Sequence, residues 1–238
     1  APASMLKELG LGFENKSGHM QDFFRARVMF PIFTDSGDAV AFGGRILPGS
    51  TDPAKYKNSS ETTIYAKSKT LYGLNWAKAS VVAADEVIVC EGYTDVIGFH
   101  RAGVTRAVAT CGTSFGTDHI KILRRLLMDD DTFTGHVVFT FDGDAAGQKA
   151  ALRAFAEDQR FTAQTFVAIE PNGMDPCELR IARGPEPAHT LDRAVPVDGL
   201  GDQLGARRFL VTARIVRISE LIGHEVAGPA AILVAPLH

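Results

Sequence analysis

Glu91 and the pair Asp142 and Asp144 are the residues whose type and spacing could do chemistry. Each follows a short apolar run, at 86–90 and at 136–141. Glu170 and Asp175 follow a third such run, at 165–169. Carboxylates about 4 Å apart repel by roughly 4 kcal/mol at an effective dielectric near 20. A cluster of this kind raises its own pKa values or holds cations. Hard cations such as Mg²⁺ accept carboxylate oxygens and keep positions open for phosphate. A single Asp-Gly-Asp after a strand is ordinarily a turn that caps a helix. Acids at the ends of several strands shift the balance toward a site.

Other readings compete for these residues. Asp142, Asp144 and Gly147 imitate the opening of a calcium-binding loop, but Ala146 and Arg153 stand where that loop needs oxygen ligands. An aspartyl nucleophile at Asp142 would leave Glu91 unexplained. Gly112-Thr113-Ser114-Phe115-Gly116 has the G-x-S-x-G form of a hydrolase elbow between a strand and a helix. Ser114 would then pair with Asp142 and with His189 or His224. The competing reading is a Gly/Ser turn with Thr117 capping the next helix.

The elements that must position the acids follow from hydrophobic periodicity. Residues 27–33 read as a strand, 35–38 as a turn and 39–42 as a returning strand. Residues 71–84 have helical spacing. From residue 86 strands and helices alternate: strands at 86–90, 106–110, 136–141 and 165–169, helices at 94–101, 118–128, 145–155 and 176–182. This alternation argues for βαβ units, and so for a mostly parallel sheet covered by helices on both faces. In such sheets ligands gather at the carboxyl ends of the strands. That rim is where Glu91, Asp142 and Asp144 would sit. Phe13, Phe23, Phe24, Phe30, Phe33 and Trp76 are read as packing residues.

Composition sets the bounds. The 238 residues carry a net charge of −3, with 45% apolar and 22% charged side chains, which excludes wholesale disorder. No apolar run approaches the ~18–20 residues that span a bilayer. Cys90, Cys111 and Cys177 lack CxxC spacing, so neither a disulfide framework nor a zinc site is expected. The charge is uneven. Residues 21–80 hold eight basic and five acidic side chains, a net of +3. Residues 85–180 hold nine and fifteen, a net of −6. A basic segment suits phosphate, and an acidic one suits divalent metal.

Taken together, the motifs resemble a known family. Glu91-Gly92-Tyr93-Thr94-Asp95 and Phe141-Asp142-Gly143-Asp144-Ala145-Ala146-Gly147 are similar to the paired acidic motifs of the Toprim domain. More narrowly, they resemble bacterial DnaG-type primases. The stretch from Phe24 to Ile32 resembles F-R-x-R-x-x-F-P-I, Phe42-Gly43-Gly44-Arg45 matches F-G-G-R, and the stretch from Lys55 to Thr62 resembles K-Y-x-N-S-x-E-T, with Lys67 following. The resemblance implies an α/β fold: a Toprim-like mostly parallel sheet flanked by helices, preceded by a small basic α+β subdomain. The expected divisions are 1–83 (basic subdomain), 84–184 (Toprim) and 185–238 (unmatched).

The implied activity is that of a DNA-directed RNA polymerase making short RNA primers on single-stranded DNA. Ribonucleoside triphosphates would be the substrates and Mg²⁺ (or Mn²⁺) the cofactor. Asp142 and Asp144 would be the principal metal ligands. Glu91 would be a ligand or a general acid/base group, and Asp95 a further catalytic candidate that could instead cap its helix. Asp175 aligns with a later pair of family acids, whose second member is here Cys177. Arg25, Arg27, Arg45, Lys55, Tyr56, Asn58 and Lys67 would line the nucleotide and template path. The implied partners are the template and the nascent primer, with a replicative helicase contacted through a domain absent from this chain. The implied setting is the bacterial cytoplasm, with no membrane. The alternative is a truncated core that binds metal, nucleotide and single-stranded DNA without efficient synthesis.

Overall fold

The computed structural model of the protein describes residues 1–128, 135–141, 164–169, 177–178, 181 and 214–216. The chain opens with a short helix, α1 (Ala3–Glu8), and an antiparallel ribbon of β1 (Gly12–Glu14) and β2 (Met20–Asp22). A three-stranded antiparallel sheet follows, ordered β3 (Arg27–Phe33), β4 (Ala39–Ile46), β5 (Tyr56–Asn58). The β3–β4 turn closes through Gly37 at φ +100° and a bond from the Asp38 N–H to Thr34 Oγ1 of 3.0 Å.

The larger sheet has six strands among the described residues. They are β6 (Leu71–Tyr72), β7 (Glu86–Cys90), β8 (Ala107–Thr110), β9 (His136–Phe141), β10 (Gln164–Ile169) and β11 (Arg214–Val216). Their spatial order is β11-β10-β9-β7-β8-β6. All neighbours are parallel except β6, which runs antiparallel to β8. The helices are α2 (Leu74–Ala84), α3 (Tyr93–Arg101) and α4 (Thr117–Leu126).

Every residue of β7 is buried, which is why this strand reads as an unbroken apolar run. Its side chains divide by the two-residue period of a strand. Val87 and Val89 pack with Ala77 and Val81 of α2 and with Ile120 and Leu123 of α4. Ile88 and Cys90 pack on the opposite face with Val96 and Phe99 of α3. Phe30, Ile32 and Ala41 of the smaller sheet join that second core. One apolar core therefore runs from one sheet into the other.

The structure departs from the sequence expectations in particular places. The helical reading of 71–84 is shortened, because Gly73 takes φ +82° and frees Leu71 and Tyr72 to form β6. The expected division at 83/84 falls in the last turn of α2, and β6 and α2 already belong spatially to the larger sheet. Trp76 is 47% exposed rather than buried, with its ring edge-on to Phe33, Tyr72 and His100. Of the phenylalanines named above, Phe30 is buried and Phe13 is exposed. Thr117 does not cap α4. Gly116 holds the cap position, and His119 Nδ1 accepts its N–H at 3.2 Å.

The helix expected at 145–155 and all of 185–238 except β11 lie outside the described residues, as do Asp142, Asp144, Glu170 and Asp175. Among the described residues, no helix is long and apolar enough to cross a membrane.

Candidate active site

A cleft of about 320 Å³ opens where the two sheets meet. Lys55, Tyr56 and Asn58 form one wall, from β5 and the residue before it. Glu91 and the start of α3 form the other, and Thr110 and Gly112, at the end of β8, complete the lining. The position follows from topology. From β7 the chain crosses to β8 on one side and then returns to β9 on the other. The crevice between strands of a reversed order is where open α/β sheets bind ligands. Val89 of β7 pairs with Phe139 of β9, so the two strands end on the same rim. From Phe141 the chain runs directly into Asp142.

Several of the predicted residues come together here. Glu91 is exposed at the carboxyl end of β7 and lines the cleft. Asp95 also lines it, but its Oδ2 accepts the Gly92 N–H at 2.9 Å. This is the helix-capping role that the sequence left open for it. Arg45 and Tyr56 are register partners on β4 and β5, with the guanidinium carbon 5.8 Å from the ring centroid. The pair presents a cation and an aromatic face beside Lys55. Arg45 and Lys67 are not among the cleft-lining residues; Lys67 is half-buried, and its carbonyl accepts from His119 Nε2 at 2.9 Å.

Arg25 and Arg27 do not share one strand face. Ala26, at φ +50°, lies between them, and β3 begins only at Arg27. Arg25 is exposed. Arg27 is buried and committed to the protein interior: it pairs with Asp52 at 2.9 Å and donates to the carbonyls of Gly44 at 3.0 Å and Ala54 at 2.7 Å. Lys57, the Ala54 N–H and Arg27 together hold the Asp52 carboxyl well below the usual range. Arg27 thus anchors the loop that delivers Lys55 and Tyr56.

Two residues that shape this cleft were not singled out from sequence. Tyr93 is buried, and its hydroxyl donates to Asn58 Oδ1 at 2.8 Å. Burial pushes its phenol well above the ordinary value, so the proton stays in place. Gly112 holds φ +70°. Tyr93 was present in the quoted E-G-Y stretch. Gly112 opens the G-x-S-x-G stretch, whose form directed attention to Ser114 instead. Ser114 is exposed on the loop and is not among the cleft-lining residues.

Among the described residues, no group of three or more His, Cys, Asp or Glu side chains is gathered. The donor set that the sequence directs to this rim, Glu91 with the acids after β9, consists of carboxylate oxygens. That set fits a hard divalent cation. A larger hollow of about 440 Å³ lies between the β3–β4 turn, the 62–66 loop and α4. None of the predicted site residues lines it, so chemistry rather than size selects the smaller cleft.

Comparison with known proteins identifies the family. Residues 1–78 match the family model of the DNA primase catalytic core, N-terminal domain, and residues 85–168 match that of the Toprim domain. The DNA primase of Streptomyces coelicolor is 57% identical over 175 residues, which cover 74% of this chain and 27% of that protein. The chain thus spans about a quarter of that relative's length. The RNA polymerase domain of Mycobacterium tuberculosis primase DnaG superposes with a TM-score of 0.69 at 44% identity, covering 76% of this chain and 59% of that one. A DnaG primase catalytic domain bound to single-stranded DNA gives a TM-score of 0.66 at 37% identity, covering 76% and 57%. With both family models in tandem along one chain and this cleft between the parts they match, the protein belongs to the bacterial DnaG-type primase family, as a segment of its RNA polymerase core with the Toprim domain.

Proposed function

We propose that this chain is the nucleotide- and template-handling part of a DNA-directed RNA polymerase that makes short RNA primers on single-stranded DNA. One observation carries the reading: a basic, aromatic-bearing strand and an acidic strand end share one cleft at the switch point of a doubly wound sheet. The substrates are ribonucleoside triphosphates, and the partners are the template and the growing primer. The work belongs to the replication fork in the bacterial cytoplasm. Residues 1–83 act as the basic subdomain and 84–184 as the catalytic one.

Lys55 and Arg45 attract and orient phosphate, and Tyr56 offers a face on which a base can stack. Arg25 and Lys67 extend the positive path. Glu91, Asp142 and Asp144, with Asp175, would hold Mg²⁺ (or Mn²⁺), which would offset charge on the triphosphate and on the attacking and leaving oxygens. In the reaction the primer 3′-oxygen forms a bond to the α-phosphorus, the bond to pyrophosphate breaks, and the hydroxyl proton passes to a nearby base. Glu91, exposed at the rim, is a group that can accept it. Relatives solved with single- or double-stranded DNA support a nucleic-acid partner.

The test is de novo RNA synthesis by the full chain on single-stranded DNA with labelled ribonucleotides and Mg²⁺ or Mn²⁺. Short RNA is expected, with Asp142→Ala lowering the rate at least ~100-fold, the scale of losing charge stabilisation at a transition state. Metal-dependent nucleotide binding without synthesis would favour the binding-only alternative. The absence of both synthesis and metal-dependent nucleotide binding would overturn the polymerase reading.

A further inference from the structure

The wall of the cleft that carries Lys55 and Tyr56 is tied to the acidic wall through Tyr93. Tyr93 follows Glu91 by two residues and starts α3. Its ring lies in the shared core, with centroids 5.4 Å from Phe30 and 4.5 Å from Tyr72. Its hydroxyl reaches across to Asn58 at the end of β5.

Two glycines make room for this arrangement. A Cβ on Gly43 would lie 2.3 Å from Tyr93 Cε2. A Cβ on Gly112 would lie 2.0 Å from Asn58 Nδ2. Neither position accepts a side chain without moving the residue above it. Asn58 is thus held from two directions: its oxygen by Tyr93, and its amide nitrogen by close packing on the loop after β8. The loop bearing the G-x-S-x-G stretch acquires a role here that does not involve Ser114.

We propose that Tyr93 and Asn58, seated over Gly43 and Gly112, form a joint that sets the spacing between the basic strand β5 and the acidic rim, and are positioning residues for the reaction proposed above. This rests on the polymerase reading for its catalytic consequence, but not for the joint itself. Asn58 is thereby assigned to positioning and not to template contact. Neither residue needs to touch the reacting atoms. The spacing matters because a 1 Å misplacement of reacting groups can cost about 100-fold in rate.

The experiment uses Tyr93→Phe, which keeps the ring and its packing while removing the hydroxyl, together with Asn58→Ala and the double variant, all in the full chain. Two readouts are taken: steady-state primer synthesis, and amide hydrogen exchange. Tyr93→Phe is expected to lower kcat about tenfold, a fraction of the ~100-fold for a full ångström, with the KM for ribonucleotides unchanged. The double variant is expected to be no slower than Asn58→Ala. Exchange should quicken at 56–58 and 110–113 while β7 and β9 stay protected. Unchanged kcat and exchange in Tyr93→Phe would overturn the proposal. So would additive losses in the double variant, or a general loss of protection across both sheets, which would mark a packing role only. If the parent chain makes no primers, exchange alone decides the joint: quickening confined to 56–58 and 110–113 supports it, and no change overturns it.

Discussion

At the scale of single residues, the same side-chain type does opposite work depending on burial. Lys55 and Arg45 are exposed, while Arg27 is buried against Asp52 and the carbonyls of Gly44, Lys55 and Ala54. In sequence these cations are indistinguishable, since each lies in a motif with aromatic neighbours. His119 is the clearest titratable case. Its Nδ1 accepts the Gly116 N–H, so Nε2 carries the proton toward the Lys67 carbonyl. Burial lowers its pKa. The unfolded chain protonates this ring near its ordinary value of about 6.5, whereas the folded one resists. The unfolded state therefore binds more protons as pH falls, and stability declines below about pH 6.5. Urea midpoints measured from pH 7.5 to 5.5 should fall, and the slope should flatten in His119→Gln. An unchanged slope would rule out His119 as the source.

At the scale of elements, strands were legible where burial alone dictates the residue types. β3, β7 and β9 have the bounds read from the sequence: β7 is buried throughout, which leaves little choice but Val, Ile and Cys, while in β3 Phe30 and Ile32 are buried and Val28 and Met29 are exposed. β6 was not legible. Leu71 and Tyr72 continue the apolar spacing of α2, and only the left-handed Gly73 separates them. The glycines of β4 show why a strand can require small residues. A Cβ on Gly44 would lie 2.8 Å from Phe24 and 3.0 Å from Arg27 Cδ. Gly44→Ala should destabilise the chain by about 1–3 kcal/mol, the usual range for overpacking, read as a lower denaturant midpoint. A neutral result would mean that Phe24 and Arg27 shift without cost.

At the scale of the whole molecule, the two sheets are not independent. Phe30, Ile32 and Ala41 of the smaller sheet share a core with Val96 and Phe99 on the larger. Ile32 is fully buried at that junction. Ile32→Ala should cost about 2–5 kcal/mol, as large-to-small core substitutions do, and both sheets should still unfold in one transition. Circular dichroism and calorimetry reporting two separate transitions in the parent chain would contradict a shared core. Among the described residues, that continuous core brings Lys55 and Tyr56 of the basic half and Glu91 of the acidic half to a common cleft.

By itself the sequence determined the alternation of strands and helices, the acids at strand ends, the basic and acidic halves and the family motifs, because these depend on residue type and local spacing. The tertiary structure decided that Arg27 turns inward while Lys55 lines the cleft, and that β6 completes the sheet. It also decided that Tyr93, Asn58, Gly43 and Gly112 meet at one joint. Those outcomes depend on contacts between residues as many as 54 positions apart, such as Asn58 and Gly112. No local pattern encodes such a distance. Only the packing of one sheet on the other brings these residues together.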